Sequence, residues 1–201
     1  MGDAASKLVA DEFGRLFENG GDYEDFLSDA FICAQKKLLE EQQKRKVSQK
    51  MKTTAVALVT DEKTAYIGHV GDSRIYVFRH NKVTARTLDH SVPQMLVRSG
   101  EIKESEIRHH PDRNLVLRVM GIPWEKPMVD LMKPISLRKC QAFLLCTDGF
   151  WELIEEPVME ELLKKAVSAQ DWLEKMTAEV KKNGAGKNMD NYTAIAVWNT
   201  K

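Results

Sequence analysis

The sequence predicts an α+β protein in which antiparallel β-sheet packs against antiparallel helices. Three observations carry this prediction. Apolar residues recur at helical spacing in two N-terminal stretches, closely spaced β-rich stretches follow between residues 53 and 88, and two more helical patterns precede a final β-rich stretch at 191–198.

Bulk composition narrows the class of protein. The chain has 201 residues, of which 43% are hydrophobic and 30% charged, as is typical of one soluble globular domain. Lys+Arg and Asp+Glu both number 30, so the chain lacks the basic field that a nucleic-acid partner needs. Its apolar runs are too short to cross a bilayer, so we expect no membrane partner. Three cysteines without Cys-x-x-Cys spacing predict reduced thiols in the core of a cytoplasmic protein: Cys33, Cys140 and Cys146.

The helices are predicted from apolar residues at three- and four-residue steps. The first pattern follows Asp3, continues to Phe17 and ends near Gly20-Gly21. The second begins near Phe26 and ends in the charged stretch EEQQKRK, which is typical of a solvated helix end. Two further helices are predicted at 157–168 and 171–182.

The strands are predicted from β-rich stretches bounded by turn-forming residues. Four such stretches lie at 53–60, 64–70, 74–80 and 82–88. Because Asp61-Glu62-Lys63, Gly71-Asp72-Ser73 and Asn81 suit tight turns, we predict an antiparallel meander. The stretches at 128–135 and 141–146 predict a hairpin, and 191–198 predicts the last strand.

The segment 89–121 between these strands is long, polar and only briefly helical. An insertion of this kind is often a functional lid, so we predict a flap that lies beside the Asp72 turn and is more mobile than the sheets. His90 and the pair His109-His110 lack the spacing of a zinc site, and we interpret them as surface residues of the flap.

Three acids each lie at the end of a predicted strand. Asp72 is in the turn before RIYVF, Asp148 follows the apolar run FLLCT, and Asp190 precedes the last strand. A carboxylate at the break of a buried strand costs free energy unless it meets a partner. Oxygen ligands without Cys or His suit magnesium or manganese, and two such ions can activate a water and hold a phosphoryl oxygen. For each acid alone, a turn or helix cap is the alternative, and spacing does not decide between them.

The residues around these acids resemble a known family. HVGDSRIYVF, LLCTDGFWELI and KNMDNYTAIAVW are similar, in this order, to signature blocks of the metal-dependent protein phosphatases of type 2C. The segment DHSVPQMLVRSGEI…HHPDRNLVLRVMG resembles the one that bacterial members carry between the first two blocks. The resemblance covers essentially the whole chain. It implies a single domain over 1–201, with a β-sandwich flanked by antiparallel helix pairs in four layers, α-β-β-α.

The resemblance also implies a function and a site. Members hydrolyse phosphoserine and phosphothreonine in proteins with manganese or magnesium, so a phosphoprotein substrate and a cognate Ser/Thr kinase are the expected partners. By this resemblance Asp148 and Asp190 bind two core metals, and Asp72, with Asp148, binds a third metal near the flap. Supporting roles around the acids are expected for five neighbours: Thr147, Gly149, Asn191, Ser73 and Arg74. For Arg74 we favour an ion pair that holds the turn over a contact with phosphate.

The sequence also departs from the family. It contains no Arg strand that grips phosphate, no Asn-Glu-Asp stretch and no Asp-Gly-Met-Gly motif, and Met1-Gly2 resembles the end of that motif. We therefore expect an N-terminally incomplete domain that binds manganese weakly, turns over slowly and forms an edge-to-edge dimer or accepts a strand from a neighbouring chain. Two hypotheses stay open: an active phosphatase, or a non-catalytic regulatory or binding module on the same fold.

Overall fold

The structure is a computed structural model that describes residues 1–18, 23–47 and 49–200. The predicted helix end at Gly20-Gly21 lies outside the described residues. The helices are α1 (Gly2–Phe17), α2 (Tyr23–Lys44), α3 (Val92–Ser99), α4 (Asp148–Trp151), α5 (Glu156–Lys165) and α6 (Ala169–Gly184). The strands are β1 (Ala55–Thr60), β2 (Thr64–Val70), β3 (Arg74–Arg79), β4 (Lys82–Arg86), β5 (Asp130–Leu131), β6 (Ile135–Ser136), β7 (Ala142–Cys146) and β8 (Ala194–Trp198).

The chain divides into two compact units that alternate along the sequence. The first unit contains Met1–Asp72 and Asp89–Ile135, and the second contains Ser73–Leu88 and Ser136–Lys201. Each unit has its own antiparallel sheet and its own helices. The prediction of an α+β protein is therefore confirmed.

In the first unit, helices α1 and α2 pack on each other, and α2 contacts β1 and β2. Strand β2 pairs with β1 in full register from Val70 opposite Ala55, and with β5 through His69 opposite Asp130. The helical apolar spacing and the sheet face meet in one core cluster: Ala5, Val9, Phe31, Ala34, Leu38, Met51, Val70 and Met120. Burial of these side chains stabilises the unit.

The second unit contains a sheet in the order β4-β3-β7-β8, with α5 and α6 packed together. Trp172 of α6 is fully buried, and its ring meets Phe78 of β3 edge to face at 4.9 Å. The indole N–H donates to the carbonyl of Met159, 3.1 Å away, so burial of the ring leaves no polar atom unsatisfied. Phe150 and Trp151 are also buried.

The predicted four-stranded meander is wrong. Strands β1 and β2 form one hairpin and β3 and β4 another, but the two hairpins belong to different sheets. The turn residues Gly71-Asp72-Ser73 therefore connect two sheets. His80 and Asn81, both at positive φ, form the tight turn of the second hairpin.

Two other expectations are corrected. The stretches at 128–135 and 141–146 do not pair as a hairpin, because β5 pairs with β2 whereas β7 lies between β3 and β8. Cys140 and Cys146 are buried free thiols as expected, but Cys33 is exposed and lies outside the core. None of the helices in the described ranges combines the length and apolar character needed to cross a bilayer.

Candidate metal centre

The end of β7 and the start of β8 lie side by side in the second unit. Cys146 pairs with Ala194, and the ladder continues past the strands through Thr147 and Thr193. The Thr147 N–H donates to the carbonyl of Thr193 at 3.1 Å, and the Thr193 N–H donates to the Thr147 hydroxyl at 3.0 Å. Thr147 thus joins the end of β7, just before Asp148, to the segment between Asp190 and the start of β8.

The segments that carry the two acids are in close contact beyond these strand ends. A Cβ atom on Gly149 would lie 2.6 Å from the carbonyl oxygen of Asn191 and 3.2 Å from that of Asp190. Real Cβ contacts are essentially never shorter than 3.0 Å, so only glycine fits here without a shift of the backbone. The structure therefore brings Asp148 and Asp190 to one end of the sheet.

Each carboxylate is held by the backbone that follows it. Asp148 is the first residue of α4, and its Oδ1 accepts the Gly149 N–H at 2.8 Å. Asp190 Oδ1 accepts the Asn191 N–H at 2.7 Å. Asp148 is half-buried and Asp190 is exposed. Thr147 is the N-cap residue of α4 but makes no side-chain capping hydrogen bond, and the Asp148 carboxylate accepts an amide of the first turn, so the capping alternative for Asp148 stays open.

The start of β3 lies at this same end of the sheet, because Arg74 pairs with Cys146. Asp72 precedes Arg74 by two residues in the chain, and both Asp72 and Ser73 are 5% exposed. Asp72 is the last residue of its segment of the first unit. Its place in one cluster with Asp148 and Asp190 stays a prediction.

Arg74 is turned into the packing of the second unit. Its guanidinium carbon lies 3.4 Å from the centroid of the Trp151 ring, and its Nη1 donates to the Tyr76 hydroxyl at 2.8 Å. The same nitrogen is 3.7 Å from Glu156 Oε1, and the Arg74 side chain is 3% exposed. The favoured interpretation of Arg74, an ion pair with an acid, agrees with these contacts.

A second polar cluster lies in the first unit, where the sequence interpretation missed it. The ligand-type atoms of His69, His90 and Asp130 all lie within 4.8 Å of one another. His90 is 4% exposed, so its interpretation as a flap surface residue is wrong, while His109 is exposed as expected. The sequence held a weak signal for this cluster, since His69 lies in an otherwise apolar strand and would need a polar partner.

Comparison with known proteins relates most of the chain to one protein family. The sequence profile for protein phosphatase 2C matches residues 1–192. The serine/threonine phosphatase Stp of Listeria welshimeri is 32% identical over 147 residues, which cover 73% of this chain and 56% of that protein. The chain thus spans about half the length of this curated relative.

Solved structures agree with the observed fold. The crystal structure of serine/threonine phosphatase Stp1 from Staphylococcus aureus superimposes with a TM-score of 0.89 at 28% identity, covering 100% of this chain and 79% of that one. The catalytic domain of the serine/threonine protein phosphatase PstP, solved in complex with two manganese ions, has a TM-score of 0.79 at 22% identity, with 96% and 80% of the two chains covered. From the profile match and the shared fold, we conclude that this chain belongs to the protein phosphatase 2C family.

Proposed function

We propose that this chain hydrolyses phosphoserine and phosphothreonine in proteins, with a water that is activated by metal ions held by Asp148 and Asp190. The observation that carries the proposal is the contact between the Asp148-Gly149 and Asp190-Asn191 segments at one end of the β7–β8 pair. Family membership supports the reaction class, and the contact supports the assignment of Asp148 and Asp190 to one site.

The residues at this position fit a hard divalent cation. The two side chains offer carboxylate oxygens, and Asp190 is exposed, so a cation and a substrate can approach from solvent. We propose manganese or magnesium, as in the manganese complex of the related PstP domain. Such ions, when bound, lower the pKa of a coordinated water and neutralise charge on a phosphoryl oxygen.

The chain's own residues orient the two carboxylates. The amides of Gly149 and Asn191 each hold one oxygen of the preceding acid, which restricts rotation of that carboxylate. Thr147 fixes the spacing between the end of β7 and the start of β8. Residues that support metal ligands in this way are commonly worth roughly 10- to 100-fold in metal affinity or activity. We assign this supporting role to Thr147, Gly149 and Asn191.

The remaining parts of the proposal rest on the sequence. Asp72, with Ser73 beside it, is proposed as a ligand of a further metal, and residues 89–121 as a flap that contacts the phosphoprotein. A cognate Ser/Thr kinase, a role in signalling and a cytoplasmic location belong to the same proposal.

Phosphate release from a phosphothreonine peptide tests the proposed activity. The chain is assayed with manganese beside Asp148→Asn, Asp190→Asn and a matched control, Glu161→Gln. Glu161 is an acid of α5 in the same unit, with a side chain 56% exposed. Glu161→Gln therefore removes one exposed charge from a helix that carries neither candidate ligand. High enzyme concentration makes slow turnover measurable.

We expect manganese-dependent release by the chain and by Glu161→Gln, with loss in both aspartate variants. The non-catalytic alternative predicts that all four proteins release phosphate at the same background rate. Equal turnover by the chain and Asp148→Asn would contradict the assigned site while leaving an activity to explain.

A further inference from the structure

The polar cluster of the first unit joins three segments that are distant in sequence. His69 of β2 lies opposite Asp130 of β5, and the His90 ring stacks on the His69 ring with centroids 4.6 Å apart and planes at 24°. His90 Nε2 is 3.1 Å from Asp130 Oδ2. On the other side of the carboxylate, Arg118 Nη1 is 3.1 Å from Asp130 Oδ1. These residues form a chain of polar contacts that ends at His90.

His90 uses its other polar atoms to hold Gly71. The Gly71 N–H donates to His90 Nδ1 at 3.1 Å, and the His90 backbone N–H donates to the Gly71 carbonyl at 2.9 Å. The His90 carbonyl accepts the Leu117 N–H at 2.7 Å, which fixes His90 within its own segment. Both backbone polar groups of Gly71 are therefore bonded to a single residue.

These contacts determine which ring nitrogen carries the proton. A nitrogen that accepts a hydrogen bond has no hydrogen, so the Gly71 N–H requires an unprotonated Nδ1. The hydrogen of the neutral ring is then on Nε2, which lies 3.1 Å from Asp130 Oδ2 but makes no hydrogen bond of good geometry. Burial lowers the pKa of His90 below that of an ordinary imidazole, although the neighbouring Asp130 carboxylate acts in the opposite direction. A neutral ring with the hydrogen on Nε2 accepts the Gly71 N–H at Nδ1 and keeps its own N–H next to the Asp130 carboxylate.

The same contacts argue against a metal ion in this cluster. A metal on Nε2 would have to displace the only hydrogen of the neutral ring, because Nδ1 already accepts from Gly71. The Arg118 guanidinium also supplies a positive charge beside Asp130, where a cation would have to compete with it. The geometry therefore fits a chain of polar contacts better than a zinc site.

Gly71 needs to be held because its conformation is unusual. Its φ is +108°, and a Cβ atom would lie 2.3 Å from Thr54 Cγ2, so glycine is required. The flexibility that lets Gly71 adopt this conformation would also let it leave the conformation. Asp72 is the next residue, so the orientation of the Gly71 peptide sets where the Asp72 backbone begins.

We propose that His90 is a positioning residue for Asp72: it holds both backbone polar groups of Gly71, the neighbouring Asp130 carboxylate favours its Nε2–H tautomer, and Arg118 holds Asp130. This inference rests on the proposed function, because Asp72 needs to be positioned only if it binds a metal. It gives the 89–121 segment, which carries both His90 and Arg118, a defined task in placing Asp72.

The first test reads the tautomer without any metal. Long-range ¹H–¹⁵N NMR of the metal-free chain at neutral pH should show Nδ1 of His90 as the unprotonated nitrogen and Nε2 as the protonated one. Asp130→Ala removes the carboxylate beside Nε2, at a side chain that is 39% exposed. It should produce a mixture of tautomers and faster hydrogen exchange of the Gly71 amide. Asp112→Ala, at an exposed acid of the same segment, is the control and should change neither. A protonated Nδ1 in the unmodified chain overturns the proposal.

The second test separates positioning from packing with two variants at one position. In His90→Asn the side-chain oxygen is bonded to Cγ, as Nδ1 is in histidine, so it can accept the Gly71 N–H. His90→Leu fills similar space without an acceptor. Binding of manganese at the site that Asp72→Asn removes should weaken roughly 10- to 100-fold in His90→Leu and clearly less in His90→Asn. Thermal unfolding of each variant shows whether it is folded. Equal losses in two folded variants overturn the positioning role.

The outcomes distinguish this inference from the function beneath it. A wrong tautomer, or a Gly71 amide that exchanges rapidly in the unmodified chain, overturns the positioning role whatever the metal does. The expected tautomer together with manganese binding that Asp72→Asn leaves unchanged overturns the assignment of Asp72 as a ligand, and the positioning role fails with it.

Discussion

Gly149 is so close to Asn191 that a Cβ atom on it would lie 2.6 Å from the Asn191 carbonyl oxygen. Gly149 follows Asp148 and Asn191 follows Asp190, so this contact brings the segments of the two candidate metal ligands together. We predict that Gly149→Ala forces the two segments apart and lowers manganese affinity roughly 10- to 100-fold. Isothermal titration calorimetry measures the change.

The control for this substitution is Gly14→Ala, because a Cβ on Gly14 meets no atom within 4 Å. In the interior of α1, alanine should stabilise the chain by roughly 0.5–1 kcal/mol and leave manganese affinity unchanged. If Gly149→Ala binds manganese as tightly as Gly14→Ala does, the contact between the two segments is irrelevant to the metal centre.

Arg74 should act on stability and not on the metal. Its planar guanidinium stacks on Trp151 and bonds to Tyr76, and lysine can reproduce the charge but not the stack. We predict that Arg74→Lys destabilises the fold by about 1–3 kcal/mol in urea unfolding, with manganese affinity unchanged. Unchanged stability with weaker phosphopeptide binding would instead support a contact between Arg74 and phosphate.

Glu12 gives the first unit a defined dependence on pH. It accepts hydrogen bonds from Arg15 and Lys37, which, with their charges, lower its pKa from 4.5 to about 2 although burial acts against this. Because the folded pKa is depressed, the stabilisation is fully present above pH 4.5 and is lost as the pH falls from there through about 2.

We therefore predict that Glu12→Gln lowers the free energy of unfolding by about 1–2 kcal/mol at pH 7, since both cations are half-exposed and partly screened. The difference from the unmodified chain should shrink as the pH falls below 4.5. Asp11→Asn, which breaks the exposed ion pair with Lys7, should leave the free energy of unfolding almost unchanged both at pH 7 and below pH 4.5. A Glu12→Gln effect that is constant from pH 7 to pH 3 would contradict the ion-pair account.

The open edge of β8 gives the predicted self-association a testable location. Within the described part of the chain β8 ends its sheet, and Ile195 on it is 55% exposed. We predict that Ile195→Lys reduces any dimer seen by light scattering, because a charge on an edge strand opposes pairing with another edge. Lys164→Glu on α5 serves as the control for a changed surface charge. A dimer that is equally abundant in both variants would place the interface elsewhere.

The elements of this fold are predictable from local patterns, but their pairing is not. The four-residue spacing of Val9 and Phe13 identifies α1, and the apolar run Phe143-Leu144-Leu145-Cys146 identifies β7. Both patterns are local, because they record which residues of one element are buried. The pairing of Arg74 with Cys146 depends on contacts between residues far apart in the chain. The residues Gly71-Asp72-Ser73 alone therefore predict a hairpin turn, whereas in the structure they lead from one sheet to the other.

The candidate site shows the same division. Asp148 and Asp190 could be identified from their strand ends and from the family blocks around them. His90 could not, because its burial depends on β2 and β5, and neither lies near it in sequence. Polarity of the 89–121 segment predicted an exposed side chain, whereas partners from two strands make a buried one possible.

Electron paramagnetic resonance of manganese tests the central claim most directly, because free and protein-bound ions give different signals. The chain is titrated with manganese beside Asp148→Asn, Asp190→Asn and Glu161→Gln. We predict that the chain and Glu161→Gln bind manganese equally. Each aspartate variant should bind manganese at least roughly tenfold more weakly, because loss of a residue that only supports a ligand already costs about that much affinity. Equal binding by all four proteins would contradict a metal centre at the ends of β7 and β8.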